Sequence, residues 1–501
     1  MDAPPVEVQP SAMGSGAVGG TGFFHGSFNR IFSRHMMNAA LLVLLVLAIS
    51  GIMHPPKQVL LDSDIWFHLA DARILFTTHH FIRVEPYAFT VAGERWIDPE
   101  WLAETPFWFG YSWLGLRGIF LVTSLSLYAT IVLVYFRGYW MSGHAGAAVW
   151  TAALGYILMS VNDGPRTIIM GYLAMSVELA ILEAAERGKP RLLWLLPPLF
   201  MVWINLHGSW IIGLGLLALY FLCGSFAVNK GVFEHAAFRG KDRKRVLLVV
   251  FACCAALWVN PYGWRLIRNP IGMMLNQKLN IATVAEWQPL SLDMVAGKAA
   301  VLAIVLTIVA NCIKGRRWKV YELAFILFAW YAAFAHVRFL FLASVITIPM
   351  LAKDAARSFF AKPNEKTIPA MNALIAAGVV CAVLYFFPNE SSMQKELALA
   401  QPVEIVHAIQ PSWRTFNVDI AGDFMALNSK PDFMDTRFDT FEEHGEFRDY
   451  LDIVQFNEPL KMLEKYRIDH ALLLADMPLA YLLEHTPGWT LMMQELSLIH
   501  I

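Results

Sequence analysis

Apolar residues run almost unbroken from Met36 to Met53 and then recur in blocks centred near residues 126, 152, 175, 198, 217, 252, 304, 327, 345 and 378. Blocks of this length predict membrane-crossing helices, about eleven in all. Between the first two blocks the period changes. In LLDSDIWFHLADARI (60–74), Asp64, His68 and Asp71 fall at i, i+4 and i+7, while Ile65, Leu69, Ala72 and Phe76 share the other face. That pattern predicts a short amphipathic helix lying along the bilayer interface. After Phe387 the long apolar blocks stop and short strand-like and helix-like segments alternate. Strands are expected over 415–420, 432–435, 470–474 and 489–494, and helices over 445–454, 459–466 and 478–485. A small layered α/β sheet results.

The chain therefore divides into three parts. Residues 1–28, rich in Gly, Pro, Ser and Ala without a period, form a disordered tail. Residues 29–387 form a transmembrane domain whose first external loop is 55–114. Residues 388–501 form an external α/β domain. The terminal SLIHI (497–501) reads either as a last strand or as foreign sequence at a truncated gene end, which would leave that domain incomplete. Arg30 and Arg34 before the first run, and Ala48 and Ser50 near its end, also give that run the outline of a signal peptide. In either case the chain after Met53 emerges on the far side of the membrane.

Composition agrees with a polytopic α-helical membrane protein: 57% hydrophobic residues, 16% charged, and a mean hydropathy of +0.48 over 501 residues. A net charge of −1 without a basic stripe excludes a nucleic-acid partner. Cys223, Cys253, Cys254, Cys312 and Cys381 all lie in or beside apolar runs, with no disulfide or metal spacing. Charge decides the topology instead. Alternate loops carry Arg137; Arg187, Lys189 and Arg191; RGKDRKR (239–245); KGRRWK (314–319); and Lys353 to Lys366. These face the cytoplasm, as does the N-terminus, in an inner (plasma) membrane protein. The other loops and the 388–501 region then face the periplasm.

The external loops hold the polar residues that chemistry could use: Asp62, Asp64 and His68; Asp98 and Glu100; Asn162, Asp163 and Arg166; Asn205 and His207; Asn260, Arg265, Arg268 and Glu286; His336 and Arg338. Each has a structural reading. Asp62 and Asp64 suit a helix N-terminus, Asp163 and the His207 segment suit turns, Glu286 suits a solvated loop, and Arg338 suits snorkelling to headgroups. In the 388–501 region, Asp435, Arg437 and Asp439 (MDTRFDTF) read either as an ion-paired turn or as an acceptor site. Gathered on one side, carboxylates facing Arg and His suit an anionic substrate held while a hydroxyl is deprotonated. Trp66, Trp96, Trp101, Trp108 and Trp113 of the first loop are expected as interfacial anchors.

The chain is identified by these residues as similar to the GT-C superfamily of membrane glycosyltransferases. DSDIWFHLADARIL resembles the Asp-Pro-Trp-Phe-Asn-Tyr-Arg stretch of oligosaccharyltransferase catalytic subunits: Asp64 matches the acidic residue, Trp66 and Phe67 the aromatics, and His68 the Asn. Ile65 stands where the family has Pro, Arg73 lies further along than the family's Arg, and no Trp-Trp-Asp motif is present. Asn162 and Asp163 sit where the family carries its second acidic motif. Together with WINLHGSW, NPYGW, AEWQPL, HVRF, FMDTRFDTF and DHALLLADMPLA, the pattern is similar to a large group of bacterial multispan GT-C-like proteins. The resemblance implies transfer of a sugar from a polyprenyl-phosphate or polyprenyl-diphosphate donor to a glycan, lipid or protein acceptor.

On that reading Asp64 is the general base, or a ligand to Mg2+ or Mn2+, with Asp62 as its substitute. Arg338 with His336 would stabilise the phosphate leaving group. His68, Asp163, Arg166, His207, Arg268 and Glu286 would bind substrate, and Asp163 would join Asp64 if an ion is used. Two carboxylates on separate loops do not by themselves demand one. A lipid-linked-sugar flippase or a non-catalytic scaffold would carry similar charges. A flippase would be expected to show internal repeats, which the sequence lacks.

Overall fold

The protein is described by a computed structural model over residues 62–360, 369–495 and 498–501, with Asn38, Leu41 and Leu60 as single positions. The expected tail 1–28 and the first apolar run lie outside the described residues. All ten later run centres fall in helices. Five helices are long and apolar enough to cross a membrane: Leu116–Ser142, Ala145–Asn162, Ile168–Glu186, Val295–Ile313 and Val337–Ser358. The apolar helices Trp210–Gly224, Val320–Ala335 and Ala370–Cys381 are shorter. The chain is thus a mostly helical, multi-pass membrane protein. Among the described residues, however, length supports five spans where the apolar runs predict ten. The run near 198 splits into a 3-10 turn, Pro190–Leu195, and an eight-residue helix, Leu196–Trp203. Prolines at 197 and 198 withhold two amide donors there. The run near 252 shares its helix, Gly240–Ala256, with the charged GKDRKR.

The 27-residue Leu116–Ser142 helix, about 40 Å long at 1.5 Å per residue, is the axis of the bundle. It packs on Trp101–Leu114, Ala145–Met159, Ile168–Glu186 and Ile348–Ser358. A backbone crossing at Gly110 and Gly118 brings the first two together, since a Cβ on Gly118 would sit 1.8 Å from the Gly110 carbonyl oxygen. Arg137, read from sequence as a loop residue, is fully buried inside this helix. Its Nε donates to Glu183 at 3.1 Å, and its Nη1 donates to the Val345 carbonyl in the π-turn Ala343–Thr347. A π-turn breaks the regular ladder, and the guanidinium satisfies a carbonyl there.

The basic loops gather at one end of the bundle. There Lys319 pairs with Glu186, and Arg316 pairs with Glu322 and, at 2.7 Å, with Asp354. A hairpin of β1 (Val228–Lys230) and β2 (Phe233–His235) joins that end through the Trp318 carbonyl, which accepts from the Glu234 amide. Loops around residues 62–64, 162–166, 205–209, 285–287 and 336–338 meet at the other end.

The Asp64–Thr78 helix forms there, but it does not lie exposed on an interface. Trp101–Leu114 covers one flank and Asp419–Leu427 another, so Ile65, Trp66, His68, Leu69 and Asp71 are all buried. Trp66 meets Phe424 edge-on, with ring centroids 5.4 Å apart. Arg73 Nη1 donates to the Leu427 carbonyl at 2.6 Å. Residues 388–501 supply a four-stranded sheet in the order β3 (Thr415–Asn417), β4 (His470–Leu474), β6 (Leu498–His500), β5 (Met493–Glu495). The pair β3/β4 is parallel and the other two are antiparallel. Helices Glu446–Val454, Pro459–Lys465 and Pro478–Glu484 lie where the pattern predicted them. Residues 432–435 are not a strand of this sheet. Asp432 instead bridges Ala88 of the first loop, and the Asn417 side chain ties Phe433 N and Met434 O.

Candidate active site

Asp62 and Asp64 flank Ser63 at the start of the buried helix, and the loop after Asn162 carries Arg166 to them. Gly164 permits the approach: a Cβ there would lie 2.0 Å from Asp62 Oδ2. Arg166 Nε then donates to both Asp62 oxygens, at 2.9 and 2.7 Å, and stands 3.4 Å from Asp64. Its Nη1 pairs with Glu286. Three carboxylates from two distant segments thus share one guanidinium. The acids hold Arg166 firmly protonated against its burial, and burial lifts Asp62 above the usual carboxylate range although Arg166 opposes it. Asp64 is the looser partner, with its side chain 26% exposed against 12% for Asp62.

A second group stands on Glu100. The Thr167 hydroxyl donates to Glu100 Oε2, His207 Nε2 lies 3.5 Å from Oε1, and His68 Nε2 lies 3.8 Å from Oε2. Burial raises Glu100 to about 8 and lowers His68 to about 4 and His207 to about 3. At neutral pH the acid keeps its proton and both imidazoles are neutral. The Ser209 amide donates to His207 Nδ1 at 3.0 Å, which puts the His207 proton on Nε2, facing Glu100. Behind them Asp71, Asp98 and Glu104 bring carboxylate oxygens within 4.8 Å of one another, and His68 Nδ1 is hydrogen-bonded to Glu104 at 2.8 Å. Burial raises all three acids, Asp98 to about 6.

Arg338 is held differently. Its guanidinium stacks 4.1 Å above the Trp287 ring, and its carbonyl accepts from Asn162 Nδ2 at 3.4 Å. His336 Nδ1 donates to the Trp287 carbonyl at 2.5 Å, which fixes the HVRF corner against AEW.

These groups face one cavity of about 720 Å³. Asp64, His68, Arg166, His207, Glu286, His336 and Arg338 all line it. One flank is apolar, with Ile211, Ile212, Met273, Met274, Phe328 and Tyr331; Met274 and Tyr331 are largely exposed on the outer surface as well. From the 388–501 region Asp419, Thr436 and Asp439, with Ile420 and Phe438, also line it. Arg437 also lines it but is spent on Asp435 and Glu85, at 2.8 Å for Glu85. Three predicted residues are outside the lining, and Asp62 among them reaches it only through Arg166. Arg268 is exposed on the Trp264–Asn276 helix, outside the lining. Asp163 lies behind the wall, accepting from Tyr156 Oη at 3.0 Å, and burial raises it to about 7.

The residues as arranged do not fit the alternative of Mg2+ or Mn2+ on Asp64 and Asp163. Asp64 faces a guanidinium that already neutralises its neighbours, and Asp163 is turned to a tyrosine. Glu104, Thr167 and Asp419 were not singled out from sequence. Glu104 follows Glu100 by one helical turn, but the aromatic run around it hid that spacing.

No family model matches the chain, and no curated relative matches it in sequence. Solved structures do match in fold. The oligosaccharyltransferase of Archaeoglobus fulgidus in its apo form has 10% identity and a TM-score of 0.51, covering 91% of this chain and 70% of that one. AglB from the same organism, solved with an inhibitory peptide and a dolichol-phosphate, has 11% identity and a TM-score of 0.50, over 90% of this chain and 69% of that one. ArnT from Cupriavidus metallidurans bound to undecaprenyl phosphate has 13% identity and a TM-score of 0.50, over 91% and 97%. The chain has a GT-C-like fold, that of AglB and ArnT.

Proposed function

We propose that the protein is a glycosyltransferase that moves a sugar from a polyprenyl-phosphate-type lipid to an acceptor on the periplasmic face of the inner membrane. The observation that carries this reading is the single cavity that holds Asp64 and Arg338 between an apolar flank and a polar wall. A polyprenyl chain would lie along Ile211, Met274 and Tyr331, with its phosphate at Arg338. The acceptor would enter past Asp419 and Asp439. Asp64 takes the proton from the acceptor hydroxyl, whose oxygen attacks the anomeric carbon. The bond from that carbon to the phosphate oxygen breaks, and the phosphate leaves with the electron pair toward Arg338. Asp62 keeps Arg166 in place, leaving Asp64 the more accessible oxygens.

The polyprenyl phosphates named for AglB and ArnT support the same donor class. Membranes of source cells carrying wild type or Asp64→Asn at matched protein levels test it by mass spectrometry of lipid-linked sugars. Accumulation of one glycosylated lipid in the variant, with turnover down at least 100-fold, is expected. Identical lipid and surface-glycan profiles would overturn the reading.

A further inference from the structure

The cavity's charges are unequal in a way that bears on the donor, an inference that rests on the reading above. Its lining holds three arginines. Arg166 is taken by Asp62, Asp64 and Glu286, and Arg437 by Asp435 and Glu85. Arg338 has no carboxylate within ion-pair distance among the described residues, and its face rests on Trp287. Two of the three lining histidines, His68 and His207, are neutral, and His336 has Nδ1 on the Trp287 carbonyl. No lysine lines the cavity.

We infer that the donor is a polyprenyl monophosphate sugar, bound by Arg338 alone, and not a diphosphate sugar. A phosphodiester brings one negative charge, which one guanidinium pairs in a fork geometry. A diphosphate brings a second. Among Asp64, Glu286, Asp419 and Asp439 the lining offers that charge no second free guanidinium or ammonium, and a buried charge without a counter-charge is strongly disfavoured. A divalent ion on Asp98 and Glu104, which also line the cavity, could offset it, so the test is run with a chelator; Asp64 and Glu286 are gathered on Arg166. The same arrangement suits the departing lipid. A phosphate monoester gains charge toward about −2 at neutral pH, so Arg338 gains most as the bond breaks.

The test uses the purified full-length protein in detergent with a chelator present. Binding of a polyprenyl monophosphate, a diphosphate of equal chain length and the uncharged polyprenol is measured by native mass spectrometry. The monophosphate is expected to bind at least tenfold tighter than the diphosphate. Arg338→Gln is expected to bring it to the polyprenol level, and Arg338→Lys to keep part of the preference. The wild-type comparison stands even if a variant fails to fold. Equal or tighter binding of the diphosphate overturns this inference and leaves the lipid-donor reading intact. Neither phosphate binding better than polyprenol overturns both.

Discussion

Replacing Glu100 by glutamine should stabilise the protein in alkaline solution and hardly at all in acid. Burial moves this carboxyl from 4.5 to about 8, and its side chain is only 18% exposed. Below the lower value both folded and unfolded chains hold the proton, so the group contributes nothing. Between the two values the unfolded chain has released it and the folded chain has not. Stability therefore falls as pH rises, by about 1.4 kcal/mol per pH unit. The accumulated cost is on the order of 4 kcal/mol at pH 8 and levels off above it. Glutamine never ionises, and its amide oxygen can still accept from Thr167. Melting temperatures of both proteins in detergent, taken from pH 4.5 to 9, should coincide at the acid end. They should then separate in favour of Glu100→Gln by several degrees near pH 8. Glu104 rises partly through the charge of Glu100, so the difference reports Glu100 together with that relief of its neighbour. A separation that is constant with pH, or one that favours the wild type at pH 8, would refute the reasoning.

Arg437→Met should cost about 3–5 kcal/mol, because Asp435 and Glu85 stay buried without their cation. Thermal melting and faster proteolysis of the first loop check it, and adding Asp435→Leu should restore part of the loss. Gly118→Ala forces a Cβ onto the Gly110 carbonyl and should destabilise by about 1–3 kcal/mol, read as a lower melting temperature. Arg268→Ala should leave transfer within roughly twofold of wild type in the same lipid assay, because its side chain lies outside the cavity.

Hydrophobic periodicity located the helices because each apolar block exceeds about a dozen residues and a helix is the structure that satisfies its own backbone in lipid. The same signal could not report how long each helix stays regular. Prolines at 197 and 198 and the π-turn at Ala343–Thr347 act through backbone bonds, which hydropathy does not register. Positive charge sorted the loops onto two ends, and that sorting brought Asp64, Arg166, Glu286 and Arg338 onto one side. What it could not supply was pairing. Arg166 and Arg338 look alike in sequence, and only the turn at Gly164 gives one of them three carboxylates and leaves the other facing a tryptophan. The amphipathic reading of 60–74 missed because Asp71 looked like a solvated residue. Asp71 is covered from within the first loop by Tyr87, Asp98 and Glu104, while the helix's other cover, Asp419–Leu427, arrives from about 350 positions away, beyond any local pattern.

That distance sets the order in which this region can assemble. Arg73 finds the Leu427 carbonyl, Glu85 finds Arg437, and Ala88 finds Asp432 only after the intervening helices have been made and inserted. Contacts closing loops this large form late and slowly. Docking of the later segment places Arg437 near Asp71 and Asp98, where its charge opposes the rise that burial imposes on both carboxyls. The buried acids of the first loop thus gain the cation that steadies them only when the last part of the chain docks.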